Sequence, residues 1–269
     1  MADSVLPDLL AAGPAGVSVS LRGVTKIYDN GLRALGPLDL DVRKGEFVSL
    51  LGASGCGKTT ALRLIAGLSA PTAGTVQVST RPTGHAIGFV FQEPTLMPWC
   101  SVRDNVLLPL KLAHESRSKS DSRVAAALAQ VGLGDFADAF PRELSGGMKM
   151  RASLARALVT DPDILLMDEP FAALDEITRF KLNNDLLALW RDLRKTVVFV
   201  THSLFEAVYL SQRVIVMSPR PGRVSAQFRI DAPEVRDDDF RTSVAYATSC
   251  RDVSLALARA QASDAGAGA

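Results

Sequence analysis

Along this chain the apolar positions follow two periods, and the switches between them mark out its elements. Phe47 to Leu51, Asp163 to Met167 and Thr196 to Val200 are almost wholly apolar, the character of parallel strands with helices on both faces. Strict alternation over Val17 to Leu21, Leu38 to Val42, Gly74 to Val78 and Ile87 to Phe91 predicts half-exposed strands, grouped as a small antiparallel sheet beside the core. Val214 to Met217 and Val224 to Phe228 predict two more strands joined by the turn Pro219-Arg220-Pro221-Gly222. Helical spacing governs Thr60 to Ala66 and also Glu176 to Lys195, the latter placed to cross over between two buried strands. From Ser101 to about Phe140 the pattern is helical throughout, over Asp104 to Leu112 and Ser122 to Val131, which reads as an insertion. The expected organisation is an α/β domain over 17–230 with a helical subdomain at about 93–160, then a charged helix in 231–269. Residues 1–16, rich in Ala, Gly and Pro, and the tail Ala262 to Ala269 are expected to be flexible, and no internal repeat is evident.

One junction between these elements carries chemistry. Gly52-Ala53-Ser54-Gly55-Cys56-Gly57-Lys58-Thr59 fits G-x-x-x-x-G-K-[ST] and lies between a buried strand and a helix, where a phosphate-binding loop must lie. Glycines let successive backbone N–H groups converge on phosphate oxygens, and the following helix turns its positive end toward the same anion. Lys58 then brings a point charge to the β- and γ-phosphates, and Thr59 offers a hydroxyl to Mg²⁺.

Composition narrows the function. In 269 residues, 30 Lys and Arg stand against 29 Asp and Glu, so no global field draws the chain to nucleic acid or anionic lipid. Every apolar run is broken well before the ~20 residues that span a bilayer. The acidic start Met1 to Asp8 lacks the basic residues of a secretory signal, and Cys56, Cys100 and Cys250 form no C-x-x-C pair. Together these features place the expected chain in the cytoplasm.

Two further motifs complete the set. The run Ile164 to Met167 ends in Asp168 and Glu169, at the strand end where ligands lie in such sheets. Asp168 is expected to hold Mg²⁺, usually through water, and Glu169 to polarise the attacking water as general base. Leu144-Ser145-Gly146-Gly147-Met148 opens a helix, where Ser145 can act as N-cap and the glycines permit close approach of an anion.

A phosphate loop, a Leu-Ser-Gly-Gly helix start and an acidic strand end, in that order, resemble the ATP-binding cassette (ABC) family over residues ~17 to ~230. The resemblance implies a P-loop ATPase cassette with a mainly parallel core sheet, a small antiparallel β subdomain and a helical insertion. It implies ATP contacts from Gly52, Ala53, Ser54, Gly55, Cys56, Gly57, Lys58, Thr59 and Thr60, with Tyr28 stacked on the adenine, although a Tyr before a turn also serves in packing. Thr59, Gln92 and Asp168 are the implied Mg²⁺ ligands, and His202 the residue that contacts the γ-phosphate and orients Glu169. Ser145, Gly146 and Gly147 are implied to reach ATP held by a second copy, arranged head to tail, with Asp175 in the interface.

Glu93 to Trp99 would offer an apolar face to a transmembrane permease, unless Met97 and Trp99 belong to the core. The stretches Gln92 to Trp99, Val102 to Val106, Phe171 to Arg179 and Met217 to Arg223 look like the nitrate/sulfonate/taurine importers, whose cargo reaches the permease from a solute-binding protein. Importers of pyrimidine precursors share similar stretches. The implied place is the cytoplasmic face of the inner membrane. A soluble cassette of translation or DNA repair is the alternative, disfavoured by the short segment between loop and signature. Two residues depart from the family pattern: Met148, where Gln is common, and Ser203, where Asp is frequent.

Overall fold

The computed structural model describes residues 16–79, 81 and 87–265. Its strands are β1 (Val17–Ile27), β2 (Arg33–Arg43), β3 (Phe47–Leu51), β4 (Ala73–Val78), β5 (Ile87–Val90), β6 (Ile164–Asp168), β7 (Thr196–Thr201), β8 (Arg213–Met217) and β9 (Val224–Arg229). The helices are α1 (Lys58–Ile65), α2 (Val102–Leu112), α3 (Arg117–Gln130), α4 (Gly146–Leu158), α5 (Glu176–Leu193), α6 (Leu204–Leu210), α7 (Asp238–Thr242) and α8 (Val244–Ala265).

Among the described residues the strands form two sheets. The larger runs β5-β6-β7-β3-β8-β9, parallel except for the last pair, and the smaller is β2-β1-β4, antiparallel. Every residue of β3, β6 and β7 is buried, because helices or the second sheet cover both faces. Their side chains alternate between two cores. Phe47, Leu51, Met167 and Phe199 point to the side of α2, α4, α5 and α6, whereas Val48, Leu50, Leu166 and Val200 point to α1 and the small sheet. This two-sided burial positions the site, since it brings the C-terminal ends of β3, β6 and β7 side by side.

Ile87 to Phe91 was expected in the small antiparallel sheet; it is instead the parallel edge strand beside β6, with Ile87 facing Ile164 and Val90 facing Met167. Its alternating polarity comes from being an edge, where one side lacks a neighbouring strand, and that signal is shared by both kinds of sheet. Strand β1 continues past Leu21 to Ile27, because Gly23, at φ 57, carries the register shift between the pairs Leu21 with Leu40 and Val24 with Leu38. At the C-terminus the charged helix is two helices, α7 capped by Asp237 and α8, which buries Tyr246, Cys250, Val253 and Ala260. Helix α8 extends through Ala262 to Ala265, four residues expected in the tail, while 1–15 and 266–269 lie outside the described residues. No described helix is long and apolar enough to cross a membrane.

Candidate functional site

The phosphate loop joins β3 to α1 and forms one wall of a cleft of about 350 Å³, lined by Tyr28, Ser54, Lys58, Gln92, Glu169 and Arg220 among others. Gly55 and Gly57 hold φ 76 and 103, left-handed values that side chains other than glycine adopt at a cost. Space is as tight as torsion: a Cβ on Gly57 would lie 2.7 Å from the Ala34 carbonyl, and one on Gly52 2.8 Å from Cys56 Sγ. Cys56 is buried beneath the loop, its thiol pushed up by desolvation, so the residue has only its backbone to offer an anion.

Lys58 is 4 % exposed and donates to the carbonyls of Gly52 at 2.8 Å and Ala53 at 3.0 Å, with Glu169 Oε1 at 3.6 Å. The ammonium is therefore already desolvated and aimed along the loop. Thr59 Oγ1 donates to Asp168 Oδ1 at 2.9 Å, and Tyr28 Oη lies 3.2 Å from Thr60 Oγ1, leaving the half-buried Tyr28 ring on the cleft wall. Burial raises the Asp168 carboxyl above its ordinary value, against the lowering effect of the Thr59 hydroxyl. A buried carboxylate beside a hydroxyl fits a hard cation. The Thr59 hydroxyl and Asp168 carboxylate, with Gln92 on the wall of the same cleft, could hold Mg²⁺ that takes its other ligands from phosphate and water.

Glu169 stands one residue beyond the strand at φ 46, uncommon for a residue with a side chain. Its N–H donates to the Val200 carbonyl at 2.9 Å, which anchors the turn to β7, and Oε2 is 2.9 Å from Nδ1 of the half-exposed His202. Glu169 and His202 thus arrive from the ends of adjacent parallel strands. Ser203, the departure beside His202, caps α6 by accepting from the Glu206 N–H at 3.3 Å, a task a serine does as well as an aspartate.

Ser145, Gly146 and Gly147 are not in the cleft. Ser145 is exposed and accepts from the Met148 N–H at 3.3 Å, capping α4, while the Met148 side chain packs on the main core. A Cβ on Gly147 would lie 2.9 Å from Thr178 Cγ2, and one on Gly146 3.2 Å from Leu174 Cδ2. The signature therefore packs against the loop that carries Asp175. Asp175 caps α5 through the Thr178 N–H at 2.9 Å, and this bond holds its exposed carboxyl below the ordinary range.

Sequence reasoning missed Arg220, whose guanidinium donates to the Gly55 carbonyl at 3.0 and 3.2 Å from the β8–β9 turn. It also missed Gly222, which bonds the backbones of Ala34 and Gly36 and leaves room for the Cys56 carbonyl. Both act across more than 160 residues of sequence, with no local signal beyond a turn.

The family described as ABC transporter matches residues 35–172. The chain is 48% identical over 207 residues to the taurine import ATP-binding protein TauB of Rhizobium johnstonii, covering 76% of this chain and 79% of that one. It is 46% identical over 236 residues to an uncharacterized ABC transporter ATP-binding protein of Methanocaldococcus jannaschii, covering 86% and 87%. Among solved structures, a dimeric ATP-binding cassette in a post-hydrolysis state with ADP and Pi superposes with TM-score 0.69 at 35% identity, over 80% of this chain and 100% of that one. CbiO1 of Clostridium perfringens, part of the ABC transporter complex cbiONQ, gives 0.72 at 26% identity, over 80% and 89%.

Proposed function

As the chain belongs to the ABC transporter family and is an ATPase of that family, we propose that it powers an importer of a small solute, an anion such as nitrate, a sulfonate or taurine. The observation that carries the reading is the splitting of the site: the phosphate loop, Asp168, Glu169 and His202 line or adjoin one cleft, and the signature faces elsewhere. A second copy, placed head to tail, supplies the missing Ser145, Gly146 and Gly147.

Within one cleft the proposed roles follow from position. Tyr28 stacks on the adenine, and the Gly52 to Thr60 segment with Lys58 holds the phosphates. Thr59, Asp168 and Gln92 hold Mg²⁺, which supplies charge neutralisation when bound. Glu169, oriented by His202, accepts a proton from water attacking the γ-phosphate. Loss of that phosphate weakens the bond between copies, and Asp175 lies where the copies meet. The exposed Trp99, at 75% and seven residues after Gln92 in the chain, gives a permease an aromatic contact, on the cytoplasmic face of the inner membrane. A binding protein would deliver the cargo to that permease. The taurine-import relatives support the importer reading.

The test is phosphate release together with uptake. The chain reconstituted with its permease should hydrolyse ATP and import solute, and Glu169→Gln should bind ATP yet lose about 10²-fold or more in turnover. ATPase activity without any associating membrane protein would reject the importer, and undiminished turnover in the variant would remove Glu169 as base.

A further inference from the structure

Outside the cleft, one buried acid has no part in the chemistry above. Glu206 on α6 is 6% exposed, and its Oε2 accepts from the Thr201 hydroxyl at 2.7 Å. The same hydroxyl accepts from the Ser203 N–H at 2.9 Å, so the backbone on both sides of His202 is tied to Glu206. Opposite stands Arg179 of α5, whose Nη2 donates to the Leu174 carbonyl at 2.8 Å, the residue before Asp175. Arg179 Nε and Glu206 Oε1 face each other at 3.7 Å, and neither buried atom has a hydrogen-bond partner. Two unsatisfied buried atoms at that separation are costly, and a shift of a few tenths of an ångström toward each other would satisfy both.

We propose that Arg179 and Glu206 are positioning residues that connect the Asp175 loop to the His202 loop, so that a second copy pressing on Asp175 sets the His202 and Glu169 geometry. The physical path is short and continuous. Two overlapping turns join Glu169 to Leu174, with the Ala172 N–H bonded to the Glu169 carbonyl at 3.2 Å and the Leu174 N–H to that of Phe171 at 3.2 Å. Displacing the Leu174 carbonyl moves Arg179, and Arg179 acts on the carboxyl that fixes Thr201. The inference rests on the two-copy ATPase reading and adds how one copy senses the other. Neither residue lines the cleft.

The experiment is steady-state ATP hydrolysis by the full-length chain as a function of ATP, with nucleotide affinity measured separately by fluorescence. Arg179→Ala should keep ATP affinity within about twofold, lower kcat by roughly ten- to a hundredfold as expected for a catalytic group displaced by about 1 Å, and bring the Hill coefficient down to about 1. Arg179→Lys, which keeps charge and reach, should recover part of kcat. If Arg179→Ala does not fold, Arg179→Met with Glu206→Leu removes both charges at similar volume and should show the same split. Wild-type kcat and cooperativity in a folded variant would overturn the proposal, as would equal losses of affinity and kcat. A wild-type chain that hydrolyses ATP without cooperativity would instead overturn the two-copy reading on which it rests.

Discussion

The side chain of Glu206 is held where water does not reach, and that burial raises its pKa above the ordinary 4.5, despite the lowering effects of the Thr201 hydroxyl, Arg179 and His202. Glu169 adds to the rise by like charge. With the folded value above the unfolded one, the acid contributes its stability below pH 4.5 and loses it as the pH climbs through the raised value. Glu206→Gln keeps the shape and does not titrate. Its melting temperature relative to the wild type should therefore rise between acid pH and neutrality, and a flat or falling difference would show that the carboxyl is not desolvated. Asp168 is shifted in the same direction for the same reason, and in the proposed site Mg²⁺ would compensate that burial.

Between elements, the phosphate loop is supported from behind by a turn that holds no nucleotide contact of its own in the sequence motifs. Gly222 accepts from the Gly36 N–H and donates to the Ala34 carbonyl, both at 3.0 Å, and its Cα faces the Cys56 carbonyl so closely that a Cβ would lie 2.1 Å away. Gly222→Ala must push either the β8–β9 turn or the loop, at a cost of about 1–3 kcal/mol for overpacking. Thermal melts should show that loss together with weaker ATP binding; unchanged values for both would separate the turn from the loop. The buried strands were legible because burial on both faces leaves a continuous apolar run, and the loop was legible because its glycines, lysine and threonine are contiguous. Arg220 and Gly222 were not, since their roles exist only once β8 lies beside β3. The placement of Ile87 to Phe91 failed for a related reason: alternation reports how much of a strand is covered and says nothing of the direction of its neighbour.

For the whole molecule the decisive feature of the proposed reading is that the cleft and the Ser145-Gly146-Gly147 helix start of one chain lie apart. Asp168, Glu169 and His202 come together because β6 and β7 are neighbours, whereas in the sequence His202 was tied to Glu169 only through the family resemblance. That Gly146 and Gly147 pack beside Leu174 and Thr178, on either side of Asp175, emerges only from the packing of α4 on α5. The central claim is that ATP joins two copies through Ser145, and light scattering on a sizing column tests it directly. In saturating MgATP, Glu169→Gln should run as a particle of twice 28.7 kDa, and addition of Ser145→Arg should return it to a single chain with nucleotide still bound. A 28.7 kDa particle carrying one ATP per chain in the single variant would contradict the account.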